Sequence, residues 1–341
     1  MSRNRAPANE PLPDDRQFRR CLAHWFRLRG RDLPWRRTRD PYAILVSEFM
    51  LQQTQVATVI PYYHRWLERF PTFADLARAK ESDVLHAWQG LGYYARARNL
   101  HAAAKDVTHN FGGELPAVAA KIAQLPGIGR YTAGAIASFA FDLPEPIVDA
   151  NIARVLARLT NCQIPIDASA GRAHLWRTAI ALVPKSGARQ FNSALMELGA
   201  LICLPHEPRC GACPVRRYCR AEQPALLPIK RKRPATIHLT ESHAFSQGRN
   251  GVLLEQSRER WRGMWILPRL SLAPKQPPLL QFVFPFTRHR ITLAVFAQSG
   301  PVTPNEHQDW FRPRALDRLP VPSPHRRALL QLLPARKGCD S

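Results

Sequence analysis

Two carboxylates in unlike surroundings are the side chains of this chain best suited to acid–base chemistry. Glu48 interrupts the apolar stretch PYAILVSEFML, and Asp149 stands just ahead of a helix predicted over Ile152–Leu159. Apolar surroundings raise the pKa of a carboxyl group, which is what a general acid requires. Two simpler interpretations stay open at this point. Glu48 lies on the solvated face of its helix, or Asp149 serves only as a helix N-cap.

A glycine-rich turn, LPGIG at residues 125–129, precedes a helix predicted over Arg130–Phe139. Gly127 and Gly129 carry no Cβ, so they reach positive φ freely and let a partner approach the backbone closely. The N–H groups at such a turn, where it enters a helix N-terminus, form an anion site. A plain connection between two helices is the alternative. Together with Asp149, the turn suggests a protein that holds a nucleic-acid backbone and does chemistry beside it.

Four cysteines lie close together with spacers of six, two and five residues, at Cys203, Cys210, Cys213 and Cys219. No histidine stands at ligand spacing, and bound thiolates hold either zinc or an iron–sulfur cluster. Zinc sites usually have two separated CxxC pairs, so the uneven spacing favours a [4Fe–4S] cluster. An odd count of seven cysteines without an export signal argues against a disulfide framework. The three others are therefore expected to be free thiols: Cys21, Cys162 and Cys339.

The charge of the chain points to a polyanionic partner. Its 49 Lys and Arg residues against 26 Asp and Glu residues give a formal net charge of +23, and nucleic acid is the simplest partner for such a surplus. A membrane surface is the weaker alternative, because no strongly basic amphipathic segment stands out. No apolar run reaches transmembrane length, and even the run Ala194–Leu204 is interrupted by Glu197. The N-terminal MSRNRAPANEPLPDD lacks the hydrophobic region of a secretory signal.

Helices must position these groups, and the apolar spacing predicts them over most of the first 225 residues. They are an N-terminal helix ending near Gly30, a helix starting at Pro41, one capped by Thr54 and running to Phe70, and then Thr72–Ala79, Ser82–Gln89, Tyr93–Phe111, Pro116–Leu125, Ser169–Leu182 and Gln190–Cys203. Beyond a Pro-rich, basic linker at 226–236, short apolar runs predict strands and one helix. These are Gly251–Glu255, Trp265–Pro268, Ile291–Phe296 and a helix over Pro324–Leu333.

Five motifs together resemble a known family. The LPGIG turn, Val148-Asp149 and the cysteine loop are similar to the helix-hairpin-helix DNA glycosylases of the endonuclease III superfamily. SEFMLQQTQ at 47–55 and GLGYYAR at 90–96 resemble its adenine DNA glycosylase branch, the MutY family. The resemblance is dense over about residues 18–225 and looser beyond them. It implies a mainly α fold, two-lobed, with the site in the cleft between the lobes and a C-terminal α+β Nudix-like domain.

The expected domains follow from this resemblance: a disordered leader at 1–17, a catalytic helix-hairpin-helix and iron–sulfur domain at 18–225, the linker at 226–236 and a lesion-recognition domain at 237–341. The implied activity is excision of adenine mispaired with 8-oxoguanine or guanine in double-stranded DNA, after the base is flipped out of the duplex. The implied setting is a monomer without membrane attachment, in a bacterial cytoplasm and associated with the nucleoid.

The family's functional residues map onto matching positions. Glu48 matches the general acid that protonates adenine N7, and Asp149 the carboxylate that stabilises the oxocarbenium-like state, as in glycoside hydrolysis. Tyr131 and Asn151 match neighbours that orient this pair. Bifunctional members carry a Schiff-base lysine where Tyr131 stands, so strand cleavage is expected to be absent or slight. The resemblance assigns DNA contacts to Gln53 and Tyr93 in the base stack, to Gly127 and Gly129 on the backbone, and to Arg31, Trp35, Arg36 and Leu51 in the adenine pocket wall. It assigns a [4Fe–4S] cluster to the four close cysteines.

Two positions depart from the family pattern. Ser193 stands where the family often has Gln or Glu in contact with the adenine, so that contact is shorter, bridged by water or missing. The C-terminal stretch WRGMWILP resembles the 8-oxoguanine-reading module, without the Glu-rich metal box of Nudix hydrolases. Its reading loop is usually Phe-Ser-His, whereas this chain has Phe-Thr-Arg-His at 286–289. Ungapped alignment favours Arg288 as the reading residue, and a loop one residue longer would favour His289.

Two other functions compete with this interpretation. One is a pyrimidine-lesion glycosylase of the same fold, which Tyr131 and the additional C-terminal domain disfavour. The other is a DNA-binding protein that a metal stabilises and that has no catalytic activity. This second interpretation accounts for the charge and the cysteines, but it leaves the settings of Glu48 and Asp149 unexplained.

Overall fold

The structure of the chain is a computed structural model that describes residues 15–232, 234–298, 300 and 302–333. Most of the leader expected at 1–17 and the thiol of Cys339 lie outside those residues. The first helix begins at Asp15, inside the expected leader, because Asp15 opens an amphipathic segment whose apolar face is buried at Phe18 and Leu22.

Eleven helices occupy the described residues up to 232. They are α1 (Asp15–Arg29), α2 (Pro41–Leu51), α3 (Val56–Arg69), α4 (Phe73–Arg78), α5 (Glu81–Ala87), α6 (Ala95–Asn110), α7 (Ala119–Ile122), α8 (Arg130–Phe141), α9 (Ala150–Leu159), α10 (Ser169–Leu182) and α11 (Ala188–Leu201). Short 3₁₀ turns follow at Pro34–Arg36 and within the cysteine loop.

Local sequence signals explain several helix starts. Asp40 caps α2 by accepting hydrogen bonds from the amides of Tyr42 and Ala43, with Pro41 in the first turn as predicted. Thr72 caps α4 through the amide of Asp75. The predicted cap at Thr54 is wrong, because α3 begins at Val56 and its N-cap position falls on the next residue, Gln55.

The helix before the glycine-rich turn, α7, is also shorter than predicted. Only Ala119–Ile122 are helical in the segment predicted as Pro116–Leu125. The β-region backbone of Val118, which precedes α7, and the two prolines that flank the helix leave room for a single turn.

The chain divides into two compact units. The first contains the described residues up to Tyr63 together with Asp106–Lys232, and the second contains His64–Lys105 together with the described residues from 234 onward. One boundary lies inside the predicted linker 226–236, whereas the others lie within α3 and α6. The domain limits 18–225, 226–236 and 237–341 remain a prediction about function.

The core of the first unit is formed by helices that meet around α9. Ile152, Leu156 and Leu159 of α9 pack in one buried cluster with Phe18 of α1 and Leu195 of α11. The cysteine loop joins this core through Tyr218, whose ring meets Phe18 edge to face at a centroid distance of 5.6 Å. The beginning of α9, where Asp149 stands, is therefore anchored by packing on several sides.

The second unit contains α4, α5 and a C-terminal α+β region. Its strands are β1 (Ile237–Phe245), β2 (Gln247–Gly248), β3 (Gly251–Gln256), β4 (Trp265–Ile266), β5 (Leu280–Phe286), β6 (His289–Ala297) and β7 (Gln308–Phe311), followed by α12 (Ser323–Leu332). One sheet has the order β1-β6-β5, with β1 parallel to β6, and β7 extends the second sheet by pairing with β3. The fold class is thus mainly α with a C-terminal α+β region, as predicted. Among the described residues, no helix combines the length and the apolarity that crossing a membrane requires.

Candidate active site

A cavity of about 590 Å³ lies within the first unit, beside α2, α11 and the first turns of α8 and α9. Nine residues that the sequence singled out line it together: Glu48, Tyr131, Asp149, Asn151, Arg31, Trp35, Arg36, Leu51 and Gln53. They come from segments as far as 120 residues apart in the sequence. The cavity therefore brings the two carboxylates and the predicted pocket wall to one place.

Glu48 enters the cavity from a helix that is buried on all sides. Residues 42–50 of α2 are all buried, and Glu48 itself is 5% exposed. Burial raises the pKa of Glu48 to about 7, the Tyr131 hydroxyl hydrogen-bonded to it opposes that rise, and the nearby charge of Asp149 adds to it. The interpretation of Glu48 as a solvated outer-face residue is wrong.

Asp149 is at once the N-cap of α9 and a wall of the cavity. Its Oδ1 accepts a hydrogen bond of 2.6 Å from the amide of Ile152, and its Oδ2 accepts one of 3.2 Å from Nδ2 of Asn151. Burial raises the pKa of Asp149, while these donors and the charge of Arg154 lower it. The same carboxylate therefore both caps α9 and faces the cavity.

The two carboxylates differ in how well the ionised form is stabilised. The ionised form of Asp149 accepts hydrogen bonds from the amide of Ile152 and from Asn151. For Glu48, only the hydrogen bond from the Tyr131 hydroxyl opposes the rise in pKa that burial causes. Because like charges in one cavity disfavour double ionisation, a single shared proton belongs on Glu48 near neutral pH. This is the arrangement of an acid beside a stabilising anion.

Sequence reasoning missed Arg154, which connects Asp149 to the cysteine loop. Arg154 Nη2 donates to Asn151 Oδ1 at 2.9 Å and to the Gly199 carbonyl at 2.7 Å, and its Nε donates to the Cys203 carbonyl at 2.7 Å. Asn151 in turn donates to Asp149. The signal in the sequence was a pair of arginines four residues apart in the largely apolar helix α9, Arg154 and Arg158, and nothing local revealed the distant partners of Arg154.

Sequence reasoning also missed Glu197, which it treated only as an interruption of an apolar run. Glu197 is fully buried on α11, lines the cavity and forms salt bridges of 2.8 Å with both Arg31 and Arg36. Ser193 lies one turn earlier on the same helix and also lines the cavity.

In the glycine-rich turn at 125–129, only one of the two glycines assigned to the predicted anion site has a positive φ. Gly127 has φ 74°, whereas Gly129 has φ −95° and ψ 179°, which any residue adopts. A Cβ added to Gly129 would meet no atom within 4 Å, so the fold itself does not require glycine there. Gly129 is the N-cap of α8 and supplies no side-chain cap. The amides of that first turn can therefore receive an external anion.

Two residues matched to the base stack have left-handed backbones. Gln53 has φ 57° and Tyr93 has φ 49°, and both side chains are exposed, Tyr93 by 42%. Non-glycine residues are strained in this region by about 1–3 kcal/mol, and such strain is concentrated at functional sites. Gln53 belongs to the first unit, and Tyr93 belongs to the second.

In the second unit, the loop at 286–289 is a tight hairpin. Phe286 pairs with His289, so Thr287 and Arg288 form the two-residue turn between β5 and β6. Thr287 has φ 52°. Arg288 is exposed, while His289 is half-buried and lies 3.4 Å from the Thr287 hydroxyl through its Nδ1. Arg288 is therefore the more accessible of the two candidate reading residues.

The four close cysteines are half-buried, and none is in a disulfide. Within the described part of the chain, no three metal-ligating side chains converge as a metal site in their present positions. Burial raises the pKa of Cys213 to about 11, a backbone hydrogen bond at Val215 opposes that rise, and the charges of Cys203, Cys219 and Cys210 add to it. The four thiols are therefore near one another. Arg158 Nη1 also donates to Cys203 Sγ at 3.2 Å. A four-thiolate donor set with a cationic neighbour fits an iron–sulfur cluster chemically. The thiols of Cys21 and Cys162 are free.

The first unit thus combines helices around a glycine-rich turn with two carboxylates in one buried cavity. The profile of the HhH-GPD superfamily base excision DNA repair protein matches residues 46–178. A solved thermostable thymine-DNA glycosylase superposes with a TM-score of 0.55 at 32% identity, covering 60% of this chain and 95% of that one.

Curated relatives narrow the class. The adenine DNA glycosylase of Rattus norvegicus is 48% identical over 221 residues, which cover 62% of this chain and 43% of that protein. The adenine DNA glycosylase of Buchnera aphidicola subsp. Schizaphis graminum (strain Sg) is 33% identical over 260 residues, covering 74% of this chain and 75% of that protein. The chain belongs to the adenine DNA glycosylase family of helix-hairpin-helix proteins, as its motifs predicted. It spans less than half the length of the rat relative.

Proposed function

We propose that this protein is a DNA glycosylase that removes adenine mispaired with 8-oxoguanine or guanine in double-stranded DNA. The observation that carries the proposal is the buried Glu48, whose pKa is raised to about 7, in one cavity with Asp149. An acid that holds its proton at neutral pH beside a better-stabilised carboxylate is what N-glycosidic hydrolysis needs.

The chemistry begins with a flipped adenosine in the cavity. Extrusion of the base from the duplex requires a few kcal/mol, and Gln53 and Tyr93 are the proposed wedges that support the distorted stack. Glu48 donates its proton to adenine N7, and the C1′–N9 bond then breaks with its electron pair leaving on the base. Asp149, held ionised by its cap bonds and Asn151, stabilises the oxocarbenium-like sugar. Water adds at C1′, its proton passes to a carboxylate, and free adenine and an abasic site remain.

Tyr131 makes the reaction monofunctional. Its hydroxyl is hydrogen-bonded to Glu48, and its pKa is raised well above the ordinary value by burial and by both carboxylates. A neutral phenol cannot form a Schiff base with the sugar as a lysine amine does. The proposed product is therefore an intact strand with an abasic site.

DNA binding in this proposal rests on charge and on the hairpin. A net charge of +23 attracts the phosphate backbone, and the uncapped first turn of α8 can hold one phosphate. Arg288 is proposed to contact 8-oxoguanine, because arginine commonly reads guanine edges and this one is exposed at the tip of a strained turn. Residues 237–341 are proposed to act in lesion recognition, and the protein is proposed to be a monomer. The net charge of +23 and the Buchnera relative support a location at the bacterial nucleoid.

The proposed cofactor is a [4Fe–4S] cluster on Cys203, Cys210, Cys213 and Cys219. Bound there, it would tie the loop between α11 and the linker into one rigid, basic surface. Arg154 and Arg158 hold the Cys203 end of this loop against α9 through the hydrogen bonds described above. The purified protein should be brown, with iron and labile sulfide in equal amounts. A colourless, fully active protein with stoichiometric zinc would contradict this cofactor.

The function is tested with labelled duplexes under single-turnover conditions, followed by hot alkali to reveal abasic sites. The parent protein should excise adenine opposite 8-oxoguanine and opposite guanine. A matched duplex with thymine opposite guanine should remain intact. Cleavage of that duplex alone would indicate excision of thymine, as the name of the similar thymine-DNA glycosylase states. Specific binding of the mispair without any excision would support a non-catalytic DNA-binding protein instead.

A further inference from the structure

Glu197 is a fully buried carboxylate that no step of the proposed reaction uses. It lies in the wall of the cavity on α11, whose helical spacing brings Ser193 and Glu197 to the same side. A buried charge is retained only where it is paired, so its partners indicate its role.

Those partners are the two arginines of the predicted adenine pocket. Glu197 Oε1 accepts from the backbone amide of Arg31 at 2.9 Å and from its Nε at 2.8 Å. Its Oε2 accepts from Arg31 Nη2 at 2.9 Å and from Arg36 Nη2 at 2.8 Å. Burial alone would raise the pKa of Glu197, but these bonds outweigh it and lower the pKa to about 2. The carboxylate is therefore ionised throughout the physiological range.

The arginines are also tied to each other and to the cavity wall. Arg36 Nη1 donates to the Arg31 carbonyl at 2.9 Å, and its guanidinium stands 5.1 Å from the ring centre of Phe26. A free arginine side chain loses rotamer entropy when it is fixed. With Glu197 in place, that ordering is complete before a base arrives, and preorganised groups bind and orient a substrate more effectively.

We propose that Glu197 is a positioning residue that holds Arg31 and Arg36 as a fixed wall of the adenine pocket. This role rests on the proposed adenine excision. Ser193 is too short to replace the Gln or Glu contact expected at its position, so this arginine wall takes over recognition of the flipped base. Arginine N–H groups can donate to the ring-nitrogen acceptors of adenine.

Glu197 also balances the charge around the acid. Two guanidinium groups in the cavity favour the ionised form of a nearby carboxyl group, and the negative charge of Glu197 offsets one of them. Removing that charge should therefore lower the pH up to which Glu48 keeps its proton. The titratable and charged side chains that line the cavity with Glu48 are Tyr131, Asp149, Arg31, Arg36, Arg189 and Glu197.

The decisive variant is Glu197→Gln, which keeps the shape and removes the charge. Single-turnover excision of adenine opposite 8-oxoguanine should fall by about 100-fold near neutral pH, as expected for misplaced orienting groups. The limb of the pH–rate profile on which the rate declines should move to lower pH. Excision within a factor of about two of the parent, with an unchanged profile, would overturn the proposal.

A double-mutant cycle shows whether Glu197 acts through the arginine. Arg31→Met and Glu197→Gln should each slow excision, and the double variant should be much less impaired than the product of the two losses. Losses that multiply would overturn the proposal. If Glu197→Gln does not fold by circular dichroism, Glu197→Asp gives the answer, because it keeps the charge on a shorter arm. It should excise more slowly than the parent with unchanged duplex binding, and the parent rate would overturn the proposal.

Excision by the parent protein distinguishes a failure of the Glu197 role from a failure of the proposed adenine excision. A parent that excises no adenine removes the proposed function itself. A parent that excises adenine, alongside variants that match it, removes only the role of Glu197.

Discussion

Glu48→Gln should make the protein more stable while it abolishes excision. In the parent, a carboxyl group that would ionise with a pKa of 4.5 is held in a site where burial raises that pKa to about 7. The amide has nearly the same shape and still offers an oxygen to the Tyr131 hydroxyl. It carries no charge at any pH, so it avoids the free energy of placing a carboxylate in a buried cavity.

The magnitude follows from proton linkage. A pKa that is higher in the folded than in the unfolded state means that the folded protein binds more protons between the two values. The stability of the parent is thus complete below about pH 4.5 and declines as the pH rises through about 7. A shift of this size destabilises the ionised parent by roughly 3 kcal/mol at most. Glu48→Gln should therefore exceed the parent in unfolding free energy by roughly 1 kcal/mol near about pH 5 and by roughly 3 kcal/mol near about pH 8.

Urea unfolding of parent and variant at the two pH values measures this difference. Glu222→Gln is the matched control, because Glu222 is exposed in the same unit and its replacement should leave the difference near zero at both pH values. A Glu48→Gln variant that is no more stable than the parent at the higher pH, or whose advantage shrinks as the pH rises, would refute the claim that Glu48 is buried as a neutral acid.

Three further predictions concern the chemistry and the lesion. Asp149→Asn should bind duplex DNA like the parent but excise adenine far more slowly in single-turnover assays, because the amide cannot stabilise the cationic sugar; a near-parental rate would remove Asp149 from the mechanism. Borohydride reduction during turnover should trap little covalent enzyme–DNA adduct, since Tyr131 offers no amine; strong trapping would contradict the monofunctional assignment. Arg288→Ala should reduce the preference for 8-oxoguanine over guanine by about 1–3 kcal/mol, and more than His289→Ala does. A loss confined to His289→Ala would move the reading role to His289, and a preference kept in both variants would exclude this loop from recognition.

Signals that are local in the chain predicted much of the first unit. Pro41 and Asp149 marked helix starts that the structure contains, because helix starts depend on neighbours within three residues. The family resemblance added positions such as Arg31 and Trp35, and the structure gathers them around one cavity with Glu48.

What the sequence could not reveal depends on long-range pairing. The bond between Arg31 and Glu197 joins residues 166 positions apart, and no periodicity in either segment indicates the other. The strand β1 pairs in parallel with β6, which lies about 50 residues later in the chain. The sequence of β1 alone did not indicate a strand, because the partner that holds it is distant. Gly129 shows the limit of a local signal, because a glycine is free to adopt a positive φ but its backbone here is extended, with φ −95°.

The most direct test of the central claim is the pH dependence of single-turnover excision of adenine opposite 8-oxoguanine. If buried Glu48 supplies the proton to adenine N7, the rate should be highest at acidic to neutral pH. It should then fall about tenfold per pH unit once the pH passes about 7, where Glu48 loses its proton. A rate that stays level or rises through this range would contradict the assignment of Glu48 as the general acid.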